Sequence, residues 1–74
     1  MTTQQLRDNR LRIGREIIAA REARGMTQHQ LAESVGMVQP NIARIESGKY
    51  SVGIDILSQI AEALGCEFSL QKQA

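Results

Sequence analysis

Seventy-four residues predict one domain, 1–74, and with Tyr50 and Phe68 the only aromatics its core must be aliphatic and is marginal without a partner or second copy. The net charge of +1 excludes a uniformly basic nucleic-acid surface: residues 1–24 carry six Arg against Asp8, Glu16 and Glu22, a balance of +3, and residues 25–74 carry three basic groups against five acidic, a balance of −2. One cysteine excludes an internal disulfide and a zinc finger, and with no apolar run of membrane length and no signal-peptide pattern the expected location is cytoplasmic.

The first helix is predicted from a Thr2 or Thr3 cap to Arg24. Leu6, Ile13, Ile17 and Ala20 make one stripe at helical spacing, expected to face the core. Leu11 and Ile18 make a second, which either meets a partner subunit or packs under the chain's own C-terminus. The arginines of this segment can lead toward phosphate or form a solvated helix face. Gly25 ends the helix, and Met26 precedes the next cap.

The stretch TQHQLAESVGMVQPNIARIESG, residues 27–48, holds two short helical patterns on either side of one glycine. Thr27 with Gln30 is a capping box. Leu31, Ala32 and Val35 share a face, with Ala32 small where two helices approach closely. Gly36 ends this helix, predicted over 28–35, where a left-handed residue is needed. Pro40 suits the first turn of the following helix, 39–47, because its missing N–H costs nothing there. Ile42 and Ile45 point that helix inward and leave Gln39, Pro40, Asn41 and Arg44 outside. Ser47 to Ser51 form a polar loop. A fourth helix over 54–64, with Asp55 at its positive dipole end, buries Leu57, Ile60, Ala61 and Leu64. Gly65 ends it. Cys66, Phe68 and Leu70 then alternate with polar residues, which predicts a short strand over 66–71. Lys72 to Ala74 should fray. Cys66 reads as a small buried hydrophobe and His29 as a surface residue without companions for a metal site.

The combination of Gln28, Leu31, Ala32, Val35, Gly36, Ile42, Ile45, Glu46 and Gly48 resembles the helix-turn-helix of the phage-repressor and Cro type, the XRE-type DNA-binding family. The resemblance runs from Ile13 to Gly65. It implies an all-α fold: a four-helix repressor-like domain, to which the alternation over 66–71 adds a short C-terminal β-strand. It also implies that helix three is a recognition helix in the major groove of double-stranded DNA. Gln39 then suits adenine N6 and N7, Arg44 suits guanine O6 and N7, and Asn41 can do either or hold a phosphate. Val38 departs from the Ser or Thr frequent at this position of the family; its methyls can meet a thymine methyl. Pro40 removes a hydrogen-bonding side chain from a reading position.

The matching position of Gln28 sits against the DNA backbone at a helix N-terminus. Similar loops in the family lie on the same backbone. Here Lys49 would supply charge and Ser47 and Tyr50 hydroxyls, although Tyr50 can equally be a half-buried ring. The resemblance also implies an ion pair between Arg21 and Glu46, against the reading of two unconnected surface charges.

The expected function is that of a sequence-specific transcriptional regulator, a repressor binding a palindrome as a homodimer, with the antitoxin of a toxin–antitoxin pair as a variant that adds a toxin partner. A protein-bridging module on the same fold is the alternative. An enzyme is rejected: one His, one Cys, no paired carboxylates on a common face and no phosphate loop leave no constellation, and no cofactor or metal is expected. The lone strand would pair with the same segment of a second chain through Cys66, Phe68 and Leu70. The competing expectation is a tail folded back on helix one with Phe68 plugging its own core.

Overall fold

Two threonines start the first two helices in the same way. Thr2 Oγ1 accepts the Gln5 N–H at 3.1 Å while the Gln5 side chain accepts the Thr2 N–H at 2.7 Å. Thr27 and Gln30 repeat the box at 3.1 and 2.8 Å. Each box satisfies two donors that a helix start otherwise leaves bare.

The computed structural model describes residues 1–70 and 72. These form α1 (Thr3–Ala23), α2 (Gln28–Ser34), α3 (Gln39–Glu46) and α4 (Ile54–Ala63). All four helices stop by one device: the residue two beyond the last helical position is a glycine with positive φ. At the turn between α2 and α3, Gly36 has φ +68°. This lets its own N–H reach the Glu33 carbonyl at 3.3 Å and the Met37 N–H reach the Ala32 carbonyl at 2.9 Å. Any side chain at Gly36 would be strained in that conformation.

Ile17, Leu31, Ala32, Ile42, Ile45, Ile60 and Leu64 form the buried core, so every helix contributes and no aromatic ring takes part. The expected stripe of α1 holds at Ile17, with Ile13 and Ala20 half-buried against the core. Leu6 departs from it at 48% exposure. It lies two turns ahead of Gly14, where α1 meets α3, and so beyond the crossing.

That crossing is set by Gly14, which is buried in the middle of α1. A β-carbon there would stand 2.3 Å from the Glu46 carbonyl oxygen and 2.9 Å from that of Ile45. Only glycine lets α1 lie directly on the C-terminal backbone of α3. One turn earlier, Leu11 packs on Gly48, whose own β-carbon would fall 2.8 Å from Leu11 Cδ2. Leu11 is thus occupied within its own chain.

The expected strand is not seen. Residues 66–70 have no regular structure, and Gln71 lies outside the described residues. The reason is elementary: a strand exists through its ladder, and one chain made otherwise of helices supplies no second edge. Cys66 is exposed rather than buried. Phe68 is 41% and Leu70 95% exposed, so Phe68 does not plug the core as the folded-back alternative required.

Candidate nucleic-acid interface

Recognition by a helix needs one face anchored and the other free. In α3 the anchored face is Ile42, Ile45 and Glu46, all buried. Val38, Pro40 and Arg44 are exposed, and Gln39, Asn41 and Ala43 are half-buried at the margin. Val38 occupies the N-cap with no side-chain bond to the helix, and Pro40 lies in the first turn. The Asn41 N–H is met by the Val38 carbonyl at 3.0 Å.

Glu46 is the buried charge around which this surface is fixed, at 4% exposure. Its two oxygens accept from Arg21 Nε at 2.7 Å and from Arg21 Nη2 at 3.1 Å, a bidentate pair. Arg21 Nη1 donates to the Met26 carbonyl at 2.8 Å, which ties the same guanidinium to the start of the α2 turn. The hydrogen bond to Glu46, together with its charge, holds the Arg21 guanidinium above its ordinary pKa against the opposing effect of burial. No buried side-chain nitrogen or oxygen among the described residues lacks a partner.

From Glu46 the network continues outward with a forced polarity. Gln28 Nε2 donates to Glu46 Oε1 at 2.9 Å, and Gln39 Nε2 donates to Gln28 Oε1 at 2.7 Å. A carboxylate can only accept, so the Gln28 amide must turn its NH2 inward and its oxygen toward Gln39. Gln39 must then answer with an N–H. What remains on Gln39 is its carbonyl oxygen and one N–H, the acceptor–donor pair that matches adenine N6–H and N7. One N–H of Gln28 also remains.

The Gln28–Gln39 bridge was not visible in the sequence. Periodicity assigns each glutamine to a helix face, but the two lie eleven positions apart on different helices, and the α2–α3 packing that joins their N-terminal ends is a tertiary fact. The same holds for Gly14 and for Ala43, a small apolar residue one turn after Gln39 on the same margin.

Beyond α3 the loop is partly engaged with the protein. Ser47 Oγ donates to the Arg44 carbonyl at 2.9 Å, so its one proton is committed in the free chain. Gly48 is buried against Leu11, and its carbonyl accepts from Arg10 Nε at 3.2 Å. Lys49, Tyr50 and Ser51 are exposed, with Tyr50 at 43% and not sealed beneath the loop. His29 is exposed and stands 3.3 Å from Glu33 one turn on. Among the described residues no group of three metal-ligating side chains converges, and no helix is long and apolar enough to cross a membrane.

The helix-turn-helix family matches residues 17–71. An uncharacterized HTH-type transcriptional regulator of Haemophilus influenzae is 33% identical over 69 residues, covering 90% of this chain and 70% of that protein. The immunity repressor protein of Bacillus phage phi105 is 37% identical over 57 residues, 77% of this chain but 40% of the repressor. A structure of a toxin–antitoxin module from Streptococcus pneumoniae superposes with a TM-score of 0.73 at 32% identity, covering 100% of this chain and 84% of that one. The chain therefore belongs to the phage-repressor and Cro type of helix-turn-helix family, DNA-binding transcriptional regulators rather than enzymes.

Proposed function

We propose that this regulator is a repressor that binds a palindromic operator as a homodimer. α3 lies in the major groove, with Gln39 on adenine, Arg44 on guanine and Asn41 beside them. Gln28, Lys49 and Tyr50 hold the phosphates on either side of the groove, joined by Ser47 once its hydroxyl turns away from Arg44. Val38 and Pro40 offer only apolar contact. The single observation that carries the reading is the Glu46–Gln28–Gln39 chain of hydrogen bonds. It holds a base-reading amide in one orientation before DNA arrives, so less ordering cost falls on the binding step. A bridging module would have no use for such orientation.

Selection of bound sites from random duplex DNA tests this directly. The expected product is a palindrome with half-site centres about 34 Å apart. Arg44→Ala should lose ~1–3 kcal/mol at that site and relax one base position. Lys49→Ala should weaken all sequences alike and make the salt slope shallower by roughly one. Recovery of no enriched sequence, with binding that ignores salt, would favour the bridging module.

The antitoxin variant is supported by the likeness over the whole chain to a toxin–antitoxin module. It predicts a second protein recovered in fixed stoichiometry from the native cell, whose expression without this chain arrests growth. A regulator that purifies alone and represses fully would remove the variant.

A further inference from the structure

The arginines of α1 do not share one fate. Arg12 pairs with Glu16 at 3.2 Å, and Arg21 belongs to Glu46. Asp8, the nearest acid to the start of the helix, accepts from Gln4 at 2.9 Å. Arg7 and Arg10 are in no ion pair among the described residues. The first turn of α1 carries no acid, so its positive dipole end is not offset.

Position on the helix turns this into a surface. Arg7, Arg10, Gly14, Ile17 and Arg21 follow one another at alternate steps of three and four, which is one helix face. That face is pinned to the C-terminal end of α3, at Gly14 by backbone contact and at Arg21 through Glu46. Arg10 continues it past the end of α3 onto the loop that follows, and Arg7 lies one turn farther on the same face. Arg10 is half-buried there, with Nε on the Gly48 carbonyl at 3.2 Å. One of five guanidinium donors is so used, and both terminal amino groups remain. The next residue in the loop is Lys49, exposed; Arg7, also exposed, is ~5 Å farther along α1.

We propose that Arg7 and Arg10 form a second phosphate clamp on the operator backbone. Arg10 fixes the loop through Gly48 and grips, together with Lys49, the phosphate that the loop meets; Arg7 takes the neighbouring phosphate of the same strand. The clamp rests on the reading that the loop after α3 lies against the DNA backbone. It gives one role to two arginines on one face of α1 and a lysine of the adjoining loop, in a molecule whose net charge is +1.

The test is the salt dependence of binding of the full chain to random-sequence duplex, across roughly 50–200 mM salt, for wild type, Arg7→Gln, Arg10→Gln and Arg44→Ala. Arg7→Gln and Arg10→Gln should each make the slope shallower by about one and weaken binding roughly fivefold at 0.15 M salt. The base preference selected from random DNA should not change, whereas Arg44→Ala should change it. Melting curves show whether Arg10→Gln also loosens the loop. Arg7 is exposed, so Arg7→Gln decides the matter even if Arg10→Gln unfolds. An Arg7→Gln protein that is folded and keeps the wild-type slope overturns the clamp alone. A wild type that binds no duplex at any salt overturns the clamp and the DNA reading together, whereas an unchanged Arg7→Gln slope beside an altered base preference in Arg44→Ala overturns the clamp and leaves the DNA reading standing.

Discussion

Val38 shows what one side chain leaves undone. It caps α3 without a hydrogen bond, in extended backbone at φ −96° and ψ 148°, the geometry a capping hydroxyl or carboxylate needs. Pro40, however, has no N–H to offer a cap, and the Asn41 N–H already meets the Val38 carbonyl at 3.0 Å. Val38→Ser or Val38→Asp should therefore stabilise the fold by no more than ~0.5 kcal/mol, the low end for a cap, read as a shift in the urea midpoint at constant slope. A gain of ~1 kcal/mol or more would mean that the new side chain takes the Asn41 N–H over from the carbonyl. Glu46 is the opposite case, since removing it strands three donors. Glu46→Ala should cost ~3–5 kcal/mol, while removal of Arg21 and Glu46 together should cost less than the two singles summed. A double-mutant cycle with zero coupling would sink this account of the pair. The sign with pH is also fixed. A cation whose folded pKa is raised contributes fully below its ordinary value and loses that contribution as pH rises through the raised one. The Arg21 guanidinium thus stays charged through any ordinary alkaline titration. That both partners belong together could be inferred from the family resemblance. That Gln28 joins them could not, because nothing in one-dimensional spacing says which of its neighbours a glutamine will face.

At the scale of elements, the helices were legible and their crossings were not. Capping boxes, terminal glycines and apolar stripes are local, and each predicted helix appears with ends shifted by a residue at most. Gly14 has no local meaning: within a helix it should only cost stability relative to alanine, ~1 kcal/mol. Its meaning lies in Glu46 and Ile45 across the interface. The two views give opposite signs for Gly14→Ala. Helix propensity alone predicts stabilisation by ~1 kcal/mol. The 2.3 Å approach to the Glu46 carbonyl predicts net destabilisation, ~1–3 kcal/mol or more, since α1 must lift off α3. Because that lift also pulls Arg21 from Glu46, the variant should bind DNA more weakly than its loss of folded fraction explains. Equilibrium denaturation beside a binding isotherm measures both. The strand failed as a prediction for a related reason: alternation reports a face, whereas a strand requires an edge that this chain does not offer itself.

At the scale of the molecule, the C-terminal tail borders an open groove of about 730 Å³ between α1 and α4, whose walls include Ile13, Ile17, Ala20, Leu57 and Leu64. Every core residue lies at or before Leu64. Residues 65–70 add nothing to that core, and they leave Leu70 almost fully and Phe68 partly exposed beside the groove. Two such tails, antiparallel about a two-fold axis, would pair their free N–H and C=O groups and cover Phe68 and Leu70 with their counterparts. Of the other candidate face for a partner contact, Leu11 is spent on Gly48 and Ile18 is half-buried. Dimerisation through Cys66, Phe68 and Leu70 is thus the arrangement that these exposures favour. A chain ending at Gly65 should remain folded, with a melting temperature close to that of the dilute full-length protein, and should sediment as a monomer where the full chain sediments as a dimer. Phe68→Ala should lie between them. The truncated chain should also lose the selective affinity for a palindrome over a single half-site while keeping the salt slope of one α3 and its loop, because those contacts are made within one protomer. If the shortened protein dimerises as tightly as the intact one, the tail is not the interface, and the apolar walls of the groove itself become the surface on which the second copy must sit.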